Sequence, residues 1–191
     1  MTVENAVNLP PEINEFGREV LQIVAECRSN ATYKYPGMVY GFLHDPVIPD
    51  FGDLNDPATP CQLVFDKYYT PETSSDGDYS EVRRRILFFD KKMVIAALSK
   101  LEPEKMVTVK GRGRAVHFLD RDGYGYNHNE NTIEINIDND VEVTMTVKYF
   151  RNGKQVMFNF DSVPVNSENK FRLYRSISVG NKLSLSSGVL L

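Results

Sequence analysis

Apolar residues recur at three- and four-residue steps from Ile13 through Phe16, Val20, Ile23 and Val24 to Cys27, with Glu12, Glu15, Arg18, Glu19, Gln22 and Glu26 between them. That spacing predicts an amphipathic helix with one buried stripe. Pro10 and Pro11 stand where a first turn tolerates proline, and the pattern fades near Ser29-Asn30. A second helix is expected over residues 91–101, with Asp90 as its N-cap, Val94, Ala97, Leu98 and Leu101 inward, and Pro103 ending it.

Elsewhere a period of two dominates. Asn152-Gly153, lying between two alternating runs, is a type I′ hairpin signal. It sets Tyr149 opposite Val156, Val147 opposite Phe158 and Met145 opposite Phe160. A three-residue loop at Asp138-Asn139-Asp140 would set Ile137 against Val141, Ile135 against Val143 and Ile133 against Met145. Every pair is apolar, and a one-residue slip would turn that face to water. Residues 132–160 are therefore expected as a three-stranded antiparallel meander with one buried side.

Cys61–Tyr69 and Val82–Phe89 also read as strands, with an exposed loop over 71–80. Met106–Val109 and Ala115–Leu119 read as two strands joined at Gly111-Arg112-Gly113, and Phe171–Val179 with Leu183–Leu185 as a hairpin around Gly180-Asn181. Pro36, Pro46, Pro49, Pro57 and Pro60 exclude a long regular element over 31–60, since each removes a backbone donor and restricts its predecessor. The expected fold class is α+β: an N-terminal helix and one middle helix packed on an antiparallel sheet with a C-terminal β-meander and hairpins. The expected organisation is a single domain, 1–191. Its parts are a helix within 1–30, an irregular Pro-rich arm or cover at 31–60, and a mainly antiparallel β region at 61–191 that holds the helix at 91–101.

Composition narrows the class without naming a chemistry. With 41% hydrophobic and 25% charged residues in 191, the chain is neither disordered nor low in complexity. A chain of this size buries roughly 70% of its unfolded surface and needs no metal or disulfide staple. Cys27 and Cys61 belong to no CxxC pair and are expected as two buried thiols. The N-terminus carries no secretory pattern and no apolar run approaches the ~18 residues of a membrane span. An intracellular protein without membrane contact is the expectation.

Phe118-Leu119-Asp120-Arg121-Asp122-Gly123 resembles the opening motif of the haloacid dehalogenase phosphatases. The resemblance implies a nucleophile at Asp120 and an acid/base at Asp122, at the end of the first strand of a parallel α/β sheet. Tyr124 stands where threonine is common in that family, and the residues beyond it read as antiparallel hairpins. Extended to Asn127, the stretch is also similar to a calcium loop. An EF-hand wants a ligand fifth, glycine sixth and glutamate twelfth; here stand Tyr124, Gly125 and Asn131. A turn with solvated carboxylates is expected, with a metal-dependent enzyme at the Asp120 loop as an alternative. His117, His128 and Glu130 lack metal-ligand spacing and His44 is isolated, so no metal and no cofactor are expected.

Charge is segregated along the chain. The net charge of -4 divides into blocks: nine acidic and one basic residue over 45–81, ten basic and three acidic over 83–114, and seven acidic against Arg121 over 120–142. Arg83, Arg84, Arg85, Lys110, Arg112 and Arg114 are the candidate nucleic-acid contacts, although strand alternation separates Arg84 from its neighbours. The blocks could equally pair within one subunit or between subunits. With no coherent catalytic set, the expected function is a non-enzymatic protein-binding or assembly component, extending to a structural subunit of a large particle such as a virus or phage. Its partners would be other protein subunits in a homo- or hetero-oligomer, with residues 31–60 or the apolar Val189-Leu190-Leu191 crossing to a neighbour. A nucleic-acid-binding module using 83–114 is the alternative.

Overall fold

A computed structural model describes residues 8–34, 47–70, 79–123, 132–165 and 172–180. Two helices, α1 (Glu15–Lys34) and α2 (Lys91–Ser99), accompany six strands: β1 (Cys61–Thr70), β2 (Tyr79–Phe89), β3 (Met106–Gly123), β4 (Thr132–Phe150), β5 (Gln155–Pro164) and β6 (Leu173–Gly180). The strands form one sheet in sequence order, and every pairing is antiparallel.

The sheet is curled. Neighbouring strands lie about 4.8 Å apart, so β2 and β5, with two strands between them, would stand about 14 Å apart if the sheet were flat. The rings of Phe89 on β2 and Phe160 on β5 instead meet at 5.2 Å between centroids. Phe51, from the segment before β1, closes the gap against Phe89 at 6.4 Å and Phe158 at 5.9 Å. The concave face thus wraps the core, and both helices pack into it.

Helix α1 buries Val20, Val24 and Cys27, the stripe expected from the sequence. The Asn14 side chain caps its start, its Oδ1 accepting from the Gly17 amide at 2.9 Å while its Nδ2 donates to the Leu101 carbonyl at 2.9 Å. One residue thereby closes α1 and fastens it to the chain leaving α2. Asp90 caps α2, accepting from the Lys92 amide at 2.9 Å, and Val94, Ala97, Leu98 and Leu101 are buried. Residues 47–60 form no regular element beyond a bridge between Asp50 and Gln62, yet Ile48, Phe51 and Leu54 are buried in the chain's own core.

The register across β4 and β5 matches the sequence reading: Met145 faces Phe160, Val147 faces Phe158 and Tyr149 faces Val156, all buried. The turn differs. Type I′ needs positive φ at both central residues, whereas here the left-handed residue is Lys154 (φ 48), whose amide donates to the Arg151 carbonyl at 3.1 Å.

Two expected hairpins are continuous strands. Gly111-Arg112-Gly113 lies inside β3, not in a turn, and Asp138-Asn139-Asp140 lies inside β4. The three-stranded meander over 132–160 is therefore two strands, β4 and β5. The glycines serve packing: Gly111 lies under the Met93 side chain of α2, and Gly113 faces the Phe88 carbonyl and Val143. At 138–140, β4 carries a bulge. Gly113 pairs with Val141 but Ala115 pairs with Asp138, so Asn139 and Asp140 together oppose Arg114. The extra residue reverses which side the odd-numbered positions face. Val141, Val143 and Met145 point into the core, whereas Ile135 and Ile137 are 54% and 53% exposed on the outside. Residues 71–78 of the expected loop, and the Leu183–Leu185 strand, lie outside the described residues; Tyr79 and Ser80 belong to β2.

Candidate functional site

The convex face divides into a polar half and an apolar half. Over β4–β6 it presents Thr144, Thr146, Asn159 and Ser176, a mainly polar sheet surface on which Val163 and Tyr174 also stand exposed. Over β1–β4 the register aligns Val64, Ile86, Val116 and Ile137 in one row across four strands, and places Phe118 beside Ile135 in the next. Single exposed aliphatics are normal on a folded protein, but a contiguous run marks an interaction surface.

Arg84 sits in this apolar region, opposite Phe118. Its Nε is shut away from water and has no hydrogen-bond partner among the described residues. An unmatched buried donor costs on the order of 1–3 kcal/mol, so the surface contains one group that an added acceptor would stabilise.

The remaining basic candidates are distributed by strand alternation. Lys110, Arg112 and Arg114 all belong to the outer side of β3. Arg112 lies 3.3 Å from Asp140, Lys110 lies 4.0 Å from Glu142, and the Arg114 guanidinium covers the Phe88 ring at 4.8 Å. Arg85 stands on the opposite face of β2 from Arg84, level with His117 and Phe65. Arg83 pairs with Leu119, and its side chain lies outside the described set. The six cations thus do not form one patch. A basic column on β3 instead runs beside an acidic column on β4.

Lys91, counted by sequence among the basic block, is turned inward and only 6% exposed. Its Nζ donates to the carbonyls of Asp53 and Asp56 and, at 2.8 Å, to Thr59 Oγ1. Three donors meet three neutral oxygens, so this ammonium anchors the 53–60 turns onto α2. Beside it opens a cleft of about 640 Å³, bounded by Pro57, Phe88, Lys92, Ile95, Arg114 and neighbouring residues.

Asp120 and Asp122 belong to one strand, and residues 124–131 after them lie outside the described residues. Both lie in the regular strand β3, opposite Val82 and Ser80, instead of in the expected turn. The parallel sheet implied by the phosphatase resemblance is absent among the described residues, all of whose pairings are antiparallel. No group of three His, Cys, Asp or Glu there could hold a metal ion. His44, His128 and Glu130 lie outside the described residues. Cys27 and Cys61 are free and buried. The Cys27 thiol donates to the Gly180 carbonyl at 3.2 Å and its pKa is raised by burial. Burial pushes the Cys61 thiol up to about 12.

No helix among the described residues is long and apolar enough to cross a membrane. The row on the convex face was invisible to sequence reasoning, which placed Ile135 and Ile137 in the core; only the bulge at 139–140 reveals it. Comparison of the chain with protein-family models, curated proteins and solved structures returned no match.

Proposed function

We propose that this protein is a non-enzymatic binding and assembly component, which joins other protein subunits through the convex face of β1–β4. The observation that carries the reading is the contiguous apolar row Val64, Ile86, Val116 and Ile137, with Ile135 and Ile137 more than half exposed at its β4 end. A partner covering that row removes apolar surface from water, at about 25 cal/mol per Å². The same reading extends to a subunit of a large particle such as a virus or phage, where copies meet through such faces. Of the segments that the sequence suggested, residues 47–60 bury Ile48, Phe51 and Leu54 in the chain's own core, whereas 35–46 and 189–191 lie outside the described residues.

A nucleic-acid-binding role draws less support. Lys110 and Arg112 already face Glu142 and Asp140, and Arg114 lies on Phe88, so a phosphate would have to compete with contacts already made. A photo-crosslinking residue at position 135, installed in cells that make the protein, tests the assembly reading. Discrete protein adducts are expected at 135 and none at Ser176 on β6. Absence of adducts at 135 overturns the proposal.

A further inference from the structure

We infer that the partner on the convex face is a second copy of this chain, related by a two-fold axis that runs along the crest of the sheet between β3 and β4. The inference rests on the assembly reading above and adds the identity of the partner.

The argument begins with shape. β3 and β4 are the middle pair of the six described strands, so in a curled sheet they form the outermost ridge. Two such convex surfaces touch along their ridges and nowhere else. Whatever packs there against an identical surface must use β3 and β4.

Chemistry then selects the axis. A half-turn about a line parallel to the strands, between β3 and β4, lays β3 of one copy over β4 of the other at the same level. The levels are fixed by the register: Phe118 with Ile135, Val116 with Ile137, Arg112 with Glu142, Lys110 with Thr144, and Thr108 with Thr146. After the half-turn, Phe118 meets the copy's Ile135 and Val116 meets its Ile137. Arg112 lies over the copy's Glu142, Lys110 lies over its Thr144, and Thr108 meets its Thr146. None of these levels sets like charges together: apolar meets apolar, Arg112 meets an anion, and the threonines meet lysine or threonine. The alternative in-plane axis, perpendicular to the strands, carries one end of the ridge onto the other. Centred on the ridge, it would lay the apolar levels over the charged ones.

A two-fold contact of this kind is isologous, each position meeting its complement twice. The ion pairs within one chain, Arg112–Asp140 at 3.3 Å and Lys110–Glu142 at 4.0 Å, join those of the copy in an eight-charge cluster across the interface without any side chain losing its partner. The strip is only two strands wide, so the area covered is on the order of 1,000 Å² in total, at the low end of specific interfaces. Association in the micromolar range follows.

Sedimentation equilibrium of the full chain tests this with complementary variants. The parent is expected to dimerise. Val116→Arg alone and Ile137→Glu alone each weaken the dimer at least tenfold, because either charge meets an apolar residue twice. A mixture of the two regains parent-like association, since position 116 of one chain faces position 137 of the other. Circular dichroism confirms that each variant is folded. If Val116→Arg is not, Phe118→Arg with Ile135→Glu supplies a second pair. A parent that stays monomeric, single variants that dimerise as tightly as the parent, or a mixture that fails to reassociate each overturns the inference. Adducts at position 135 together with a monomeric parent would leave the assembly reading intact and assign the face to a different protein.

Discussion

Gly113 and Phe88 approach so closely that a β-carbon on the glycine would lie 2.1 Å from the phenylalanine's carbonyl oxygen. That oxygen belongs to the backbone of β2 and cannot swing aside. Gly113→Ala should therefore destabilise by about 3 kcal/mol, at the upper end for overpacking, by forcing β2 and β3 apart where the sheet bends. Chemical denaturation of the variant checks this; a loss below 0.5 kcal/mol would mean that the strands separate freely there.

Val147 and Phe158 face each other at the centre of the core, both fully buried. An aspartate at either position places an unpaired carboxylate among aromatic and aliphatic side chains, which costs several kcal/mol. Each variant should melt far below the parent or fail to fold.

Lys91→Met keeps the apolar stem but leaves the carbonyls of Asp53 and Asp56 and the Thr59 hydroxyl without their donor. The expected loss is about 3 kcal/mol, with Thr59→Val costing nearer 1 kcal/mol. Hydrogen exchange should then rise first over 53–60, ahead of the strands. Uniform exchange throughout the chain would contradict the anchoring role.

Both thiols should resist Ellman's reagent at pH 8 in the native protein and react on unfolding. Their folded pKa values lie above the ordinary 9.0, at about 12 for Cys61. The unfolded chain thus loses these protons first. For Cys61 this contribution to stability is complete below pH 9 and declines as pH rises toward 12, by about 1.4 kcal/mol per pH unit, and Cys27 acts in the same direction. Comparing Cys61→Ala with the parent between pH 9 and 11 isolates one such slope.

Replacing Lys110 or Arg112 by alanine should change monomer stability by less than about 0.5 kcal/mol, because exposed ion pairs contribute little. The thermal midpoint of either variant, read well below the dimer concentration range, checks this.

How far the sequence could be read depended on which residues obeyed a simple period. Met145, Val147 and Tyr149 alternate against Val156, Phe158 and Phe160 without interruption, so their pairing was legible residue by residue. Ile135 and Ile137 keep the same alternation but sit beyond the bulge at 139–140, where one added residue exchanges inside for outside. Alternation carries no mark of such an insertion. Gly111 and Gly113 resemble a turn because glycine usually frees the backbone; here it removes side chains so that Met93 and the Phe88 backbone can approach. Lys91 looked like one more surface cation. Its acceptors are carbonyls some 35 positions away, which no local pattern encodes. The outward placing of Ile135 and Ile137 depended on the bulge and was missed with it.

The joining of α1 to the far end of the chain has a consequence for synthesis. Every strand pairs with its neighbour in sequence, so β1 to β5 can assemble progressively as they leave the ribosome. Helix α1 cannot finish docking so early. The Cys27 thiol reaches the Gly180 carbonyl, 153 positions later, and β6 forms part of the surface on which the helix rests. The helix, made before all six described strands, is therefore among the last of these elements to be covered. Throughout translation Val20, Val24 and Cys27 remain an open apolar stripe on the nascent chain. Such a stripe is a natural hold for a chaperone and a risk for aggregation when synthesis stalls before β6 emerges.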